Sequence, residues 1–129
     1  MGEQLIYEAE IPLDPRTKKN SQQIFYKISN GKRIPFIMPS NQYRQYVNQA
    51  HFFLRPLRID FAVNVKCLFY MKTRRKCDLT NLLEAIDDIL VAKGTVIDDN
   101  FTIIAGHDGS RVLYDKDNPR TEIYITRLE

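Results

Sequence analysis

The chain has 129 residues, 43% of them hydrophobic and 27% charged, with two cysteines. That composition suits a single domain spanning 1–129 with a real core, and it excludes a disordered chain, a disulfide framework and a helical membrane protein, since no apolar run approaches ~18 residues. The net charge is only +3, but it is unevenly spread: residues 1–77 carry an excess of nine positive charges and residues 78–99 an excess of five negative ones.

In chain order, Gln4–Leu13 alternates partly and predicts a first strand, and Pro12–Asn20, with two prolines, predicts a loop. Ile24–Ile28 and Ile34–Met38 flank Ser29-Asn30-Gly31-Lys32, a hairpin signal because Asn-Gly tolerates positive φ. Pro35 and Pro39 keep that ribbon out of a central sheet position. Ser40 is a candidate N-cap, and Tyr43, Tyr46, Val47, Ala50, Phe53 and Leu54 predict a helix to about Arg55, stopped by Pro56. Both tyrosines share the apolar stripe, which favours core over base stacking. Ile59–Met71 is the clearest strand, with seven apolar residues at period two, Cys67 among them. Leu82, Leu83, Ile86, Ile89 and Leu90 predict a second helix closed by Gly94. Asp98-Asp99-Asn100 reads as a turn, Phe101–Ala105 as a strand, Gly106–Pro119 as a polar loop or irregular hairpin, and Thr121–Leu128 as the last strand. The expected fold is a small α/β domain with a mixed β-sheet and two main helices.

The charge reversal carries the chemistry. Lys72-Thr73-Arg74-Arg75-Lys76 suits phosphate neutralisation, while Asp78, Glu84, Asp87, Asp88, Asp98 and Asp99 offer the oxygen ligands that hard divalent cations take. On a helical wheel Asn81, Glu84 and Asp88 share a face away from Leu82, Leu83 and Ile86. Each acid also has an ordinary structural role open to it. Asp78 or Asn81 can cap the helix, with Glu84 completing a capping box; Asp87 and Asp88 can be solvated surface; Asp98-Asp99-Asn100 can be turn chemistry.

The stretch Arg75-Lys-Cys-Asp78-Leu-Thr-Asn81-Leu-Leu-Glu84, then a helix and Gly94-Thr-Val-Ile-Asp98-Asp99, resembles the RusA family of Holliday-junction resolvases over about residues 74–101. The resemblance implies a RusA-like fold and a Mg²⁺- or Mn²⁺-dependent endodeoxyribonuclease that resolves four-way junctions or related branched DNA in recombination and repair. It implies a homodimer in the bacterial cytoplasm, encoded by a host or its prophage. Asp78 and Asp99 match the family's metal-binding aspartates, and Asn81 matches its asparagine. Thr80 stands where many members carry a second aspartate, and Glu84 where some carry a lysine. On this reading Glu84 and Asp98 complete the metal shell, with Thr80 and Asn81 supporting it. Lys72, Arg74, Arg75 and Lys76, with Lys18 and Lys19, bind DNA phosphates. The alternatives are a metal-dependent nuclease without junction selectivity and a non-catalytic DNA-binding protein.

Overall fold

The computed structural model describes residues 3–18 and 22–128. Its elements are β1 (Glu3–Ile11), β2 (Gln22–Ser29), β3 (Lys32–Pro39), α1 (Asn41–Ala50), β4 (Val63–Met71), α2 (Leu79–Lys93), β5 (Ile104–Gly106), β6 (Arg111–Tyr114) and β7 (Arg120–Leu128). Five strands form a mixed sheet. β7 lies between β1 and β4, antiparallel to both, and the far edge of β4 pairs in parallel with β5 and then with β6. A parallel pair needs a long crossover, which α2 supplies between β4 and β5. β2 and β3 form a ribbon of their own.

One face of the sheet builds the core. Val63, Val65, Cys67, Phe69 and Met71 of β4 are buried, as are Ile123 and Ile125 of β7 and Ile11 of β1. Tyr46 and Ala50 of α1 and Leu82, Ile86, Ile89 and Leu90 of α2 pack into the same cluster. A fully buried side chain such as Phe69 contributes about 1.5–3 kcal/mol through lost apolar exposure. Burial of Tyr43 and Tyr46 agrees with the core role that their spacing predicts. Neither cysteine is in a disulfide; Cys67 is in the core and Cys77 at its margin.

Local signals explain most boundaries. Asn30 and Gly31 both have positive φ, 52° and 73°, and join the Ser29–Lys32 pair as a two-residue turn. Ser40 caps α1, its hydroxyl accepting the Tyr43 N–H at 3.2 Å. Gly94 ends α2 in the left-handed region, φ 81°, and donates its N–H to the Val91 carbonyl.

Four expectations are corrected. α1 ends at Ala50 and tightens into a 3-10 turn over His51–Phe53, which leaves Phe53 exposed. β4 begins at Val63, not Ile59, because Ile59 makes only an isolated bridge to Val96, bonding Thr95 and Ile97 instead of a strand neighbour. The strand predicted over 101–105 begins only at Ile104. The Asn100 side chain accepts the Thr102 N–H, and its carbonyl accepts those of Ile103 and Ile104, so the chain turns there. Residues 106–119 do not form a hairpin: Arg111–Tyr114 is a strand parallel to Leu68–Met71, docked where the Ser110 hydroxyl accepts the Cys67 N–H.

Candidate functional site

The acidic stripe of α2 is met by the turn that follows it. Asp98 folds that turn, since one of its carboxylate oxygens accepts the Asp99 N–H at 2.7 Å and the other the Asn100 amide at 3.0 Å. These bonds hold the exposed Asp98 carboxyl below its usual range. Asp98, expected in the metal shell, also orients its neighbour. Asp99 then comes up against the third turn of α2. Burial raises the Asp88 carboxyl, and Asp99 and Glu84 raise it further, while Lys18 pulls it back down. Tyr43 borders the same cluster: burial raises its hydroxyl, and Asp88 and Glu84 add to the effect.

Asp87 turns inward beneath this group. Its carboxylate meets His107 Nε2 at 2.9 Å, and His107 Nδ1 lies 2.8 Å from the Val65 carbonyl oxygen. A carbonyl only accepts, so Nδ1 carries a proton, and a second proton is shared between Nε2 and Asp87. Burial raises the Asp87 carboxyl; His107 opposes this, and Asp99 and Glu84 reinforce it. For His107, burial works to lower the imidazole, but the Asp87 carboxylate and the Val65 carbonyl outweigh it and the net direction is up. The second Asp87 oxygen is buried and has no hydrogen-bond partner among the described residues.

The residues singled out in the sequence divide into two groups. Glu84, Asp99 and Lys18 converge with Asp88 and Asp87. Asp78 occupies the N-cap position of α2 but makes no capping bond with its side chain; its carboxylate faces the Asn81 amide at 3.5 Å. Asp88 lies ten residues further on, about 15 Å along the helix axis. Asp99 thus acts on Asp87 and Asp88 in the third turn of α2. Thr80 is exposed in the first turn of the helix.

The basic run is also divided. The Arg75 guanidinium binds Asp14 at 3.1 Å and the Pro15 carbonyl, which ties the 12–18 loop to the exit of β4. The Lys72 N–H bonds the same Asp14 carboxylate. Arg74 lies 4.0 Å over the Tyr114 ring. The side chains of Lys72, Arg74 and Lys76 are exposed. Lys19 lies outside the described residues.

Among the described residues, no three His, Cys, Asp or Glu side chains close on one point as a finished metal cage. Mg²⁺ does not require one: it keeps several waters and is held through one or two carboxylates together with substrate phosphates. Asp99 and Glu84 both act on Asp88 as like charges, a repulsion that a dication would relieve. Also among the described residues, no helix is long and apolar enough to cross a membrane. No protein-family model and no curated protein matches the chain.

Proposed function

We propose that the protein is a Mg²⁺-dependent endodeoxyribonuclease acting on branched DNA. The observation that carries this reading is the influence of Asp99 and Glu84 on Asp88, with a lysine, Lys18, close enough to be felt by the same carboxylate. An acidic centre edged by cations suits a phosphodiester, whose backbone needs neutralising while the scissile phosphate is presented to a hard cation. The resemblance of residues 74–101 to the RusA resolvases supports a junction as the substrate.

Asp99, Asp88 and Glu84 would hold the ion, with Asp78 at the open start of the same helix. When bound, Mg²⁺ supplies Lewis acidity at the phosphate and a more acidic water. The chain's own residues position the substrate. Lys18 meets a phosphate beside the cluster, and Lys72, Arg74 and Lys76 meet flanking phosphates without reading bases. A four-way junction presents two symmetry-related strands, so a two-fold homodimer with two sites is the matching assembly.

The deciding experiment is cleavage of a synthetic four-way junction and of linear duplex with the same arms, with and without Mg²⁺. Mg²⁺-dependent cutting of the junction alone is the expected result. Equal cutting of both substrates identifies a nuclease without junction selectivity. Binding without cutting identifies a DNA-binding protein.

Glu84 tests the ligand set. As a helix-cap residue its loss would cost about 0.5–2 kcal/mol of stability and no chemistry. As a metal-site residue, Glu84→Gln raises the Mg²⁺ concentration for half-maximal cleavage by about 10–100-fold. An unchanged Mg²⁺ titration in folded, active Glu84→Gln returns Glu84 to the cap.

A further inference from the structure

The β2–β3 ribbon has two unlike faces. Its inner face is attached to α1: the Phe25 and Phe36 rings pair at 6.1 Å, and the Arg44 guanidinium lies 5.4 Å from the Phe25 ring centre. By the strand register, Ile24, Tyr26, Ile28, Arg33, Pro35 and Ile37 share the other face. Ile24 is 63% exposed, Tyr26 52%, Ile28 80% and Ile37 68%. Isolated apolar residues on a surface are ordinary, but a contiguous apolar face is a mark of binding.

Charge identifies the occupant. Between Asp14 and Asp60 there is no Asp or Glu, while residues 15–59 contain nine Lys or Arg. Lys27, Lys32 and Arg33 lie on the ribbon itself. Arg33 is on the outer face and the two lysines are on the other, but a second copy seated here through a two-fold axis would still bring together two ribbons that each carry three cations and no acid, and like charges across an interface cost affinity. A polyanion suffers no such penalty. The apolar side chains narrow the choice further, because a uniform duplex offers mainly phosphates to such a surface, whereas unstacked bases offer flat apolar faces. Arg33 lies 4.0 Å over the Tyr26 ring, so the two make a cationic, aromatic platform of the kind on which bases stack.

We propose that the outer face of the β2–β3 ribbon binds unpaired or unstacked bases of DNA at a branch point, and so supplies the preference for branched over linear DNA. This deepens the nuclease reading and rests on it for the site that the DNA reaches.

The test is equilibrium binding in EDTA, where no cleavage occurs, to a four-way junction and to linear duplex of the same arms. Tyr26→Ala/Arg33→Ala removes the platform, and Ile24→Ser/Ile28→Ser/Ile37→Ser removes the apolar surface. These residues are exposed, and circular dichroism confirms that each variant is folded. The platform variant is expected to bind the junction about 10–100-fold more weakly, with duplex binding changed less than about threefold. Junction binding unchanged in both variants overturns the proposal, as does an equal loss on both DNAs. Loss of a sedimenting dimer with DNA affinity intact assigns the face to a second copy and also overturns it. If the wild type binds the junction through this face but never cuts it in Mg²⁺, the nuclease reading fails and the ribbon's role stands.

Discussion

Asp99→Asn is expected to lower Mg²⁺-dependent cleavage of a four-way junction by about 10²–10³-fold, the scale of losing one group that stabilises charge in the transition state. Binding measured in EDTA stays within about threefold of wild type or tightens, because affinity comes from the surrounding cations and the substitution removes a negative charge. The change is nearly isosteric, and the turn is held by Asp98 and Asn100, so the local backbone is retained. Asp88→Asn follows in rank. It also removes a carboxylate crowded by Asp99 and Glu84, so this variant is more stable than wild type without Mg²⁺ and gains less stability when Mg²⁺ is added. Asp78→Asn separates the two ligand sets. A loss equal to that of Asp99→Asn puts the ion at the helix start, as the RusA resemblance has it; a near-normal rate puts it at Asp88. Near-normal cutting by Asp99→Asn itself would remove this turn from the site altogether.

What could be read from the sequence was local. Ser40, Asn30-Gly31 and Gly94 act on neighbours within four residues, and the alternation along β4 records a strand with one buried face. What could not be read depended on partners distant in sequence. Arg75 seemed one of four equivalent cations until Asp14, 61 residues away, engaged it. β6 is short and largely exposed, so it has no strong period of its own; it is a strand because the edge of β4 lies open to it. Asp88 and Asp87 are adjacent on α2, yet one faces the candidate site and the other a histidine 20 residues on. The helical wheel grouped Asp88 with Asn81 and Glu84 but left Asp87 as solvated surface, because it contained nothing about what lay opposite it. His107 had no motif to mark it, and its importance arises because β5 ends beside Val65 and Asp87.

That histidine carries the largest expected effect on stability. His107→Ala leaves neither Asp87 carboxylate oxygen bonded to a described residue, since the other already has no partner among them. Breaking a buried pair by removing one member commonly costs 3–5 kcal/mol. Here the side chains retain 23% and 17% exposure, so water tempers the penalty, and about 2–3 kcal/mol is expected. For a chain of this size that corresponds to a fall in Tm of roughly 8–15 °C. The loss depends on pH in a definite way. The folded His107 imidazole is raised, so its contribution is complete below the unfolded value of about 6.5 and disappears as pH rises through the folded one. At the acid end, burial has raised Asp87, so the carboxyl takes up a proton above its usual range and the lone carboxylate of the variant is relieved of its cost. The difference in Tm between wild type and His107→Ala is therefore greatest between those two titrations and shrinks on either side. Adding Asp87→Ala to His107→Ala recovers part of the loss, because no buried charge then remains. A difference that stays constant from about pH 4 to 8 would show that His107 acts through packing alone. The pair also bears on the site above it. Asp99 and Glu84 both press on Asp87, and the His107 proton is the positive charge that offsets them from below. Cleavage by the variant should then need more Mg²⁺ than wild type at neutral pH, since more uncompensated negative charge must be held together before the ion binds.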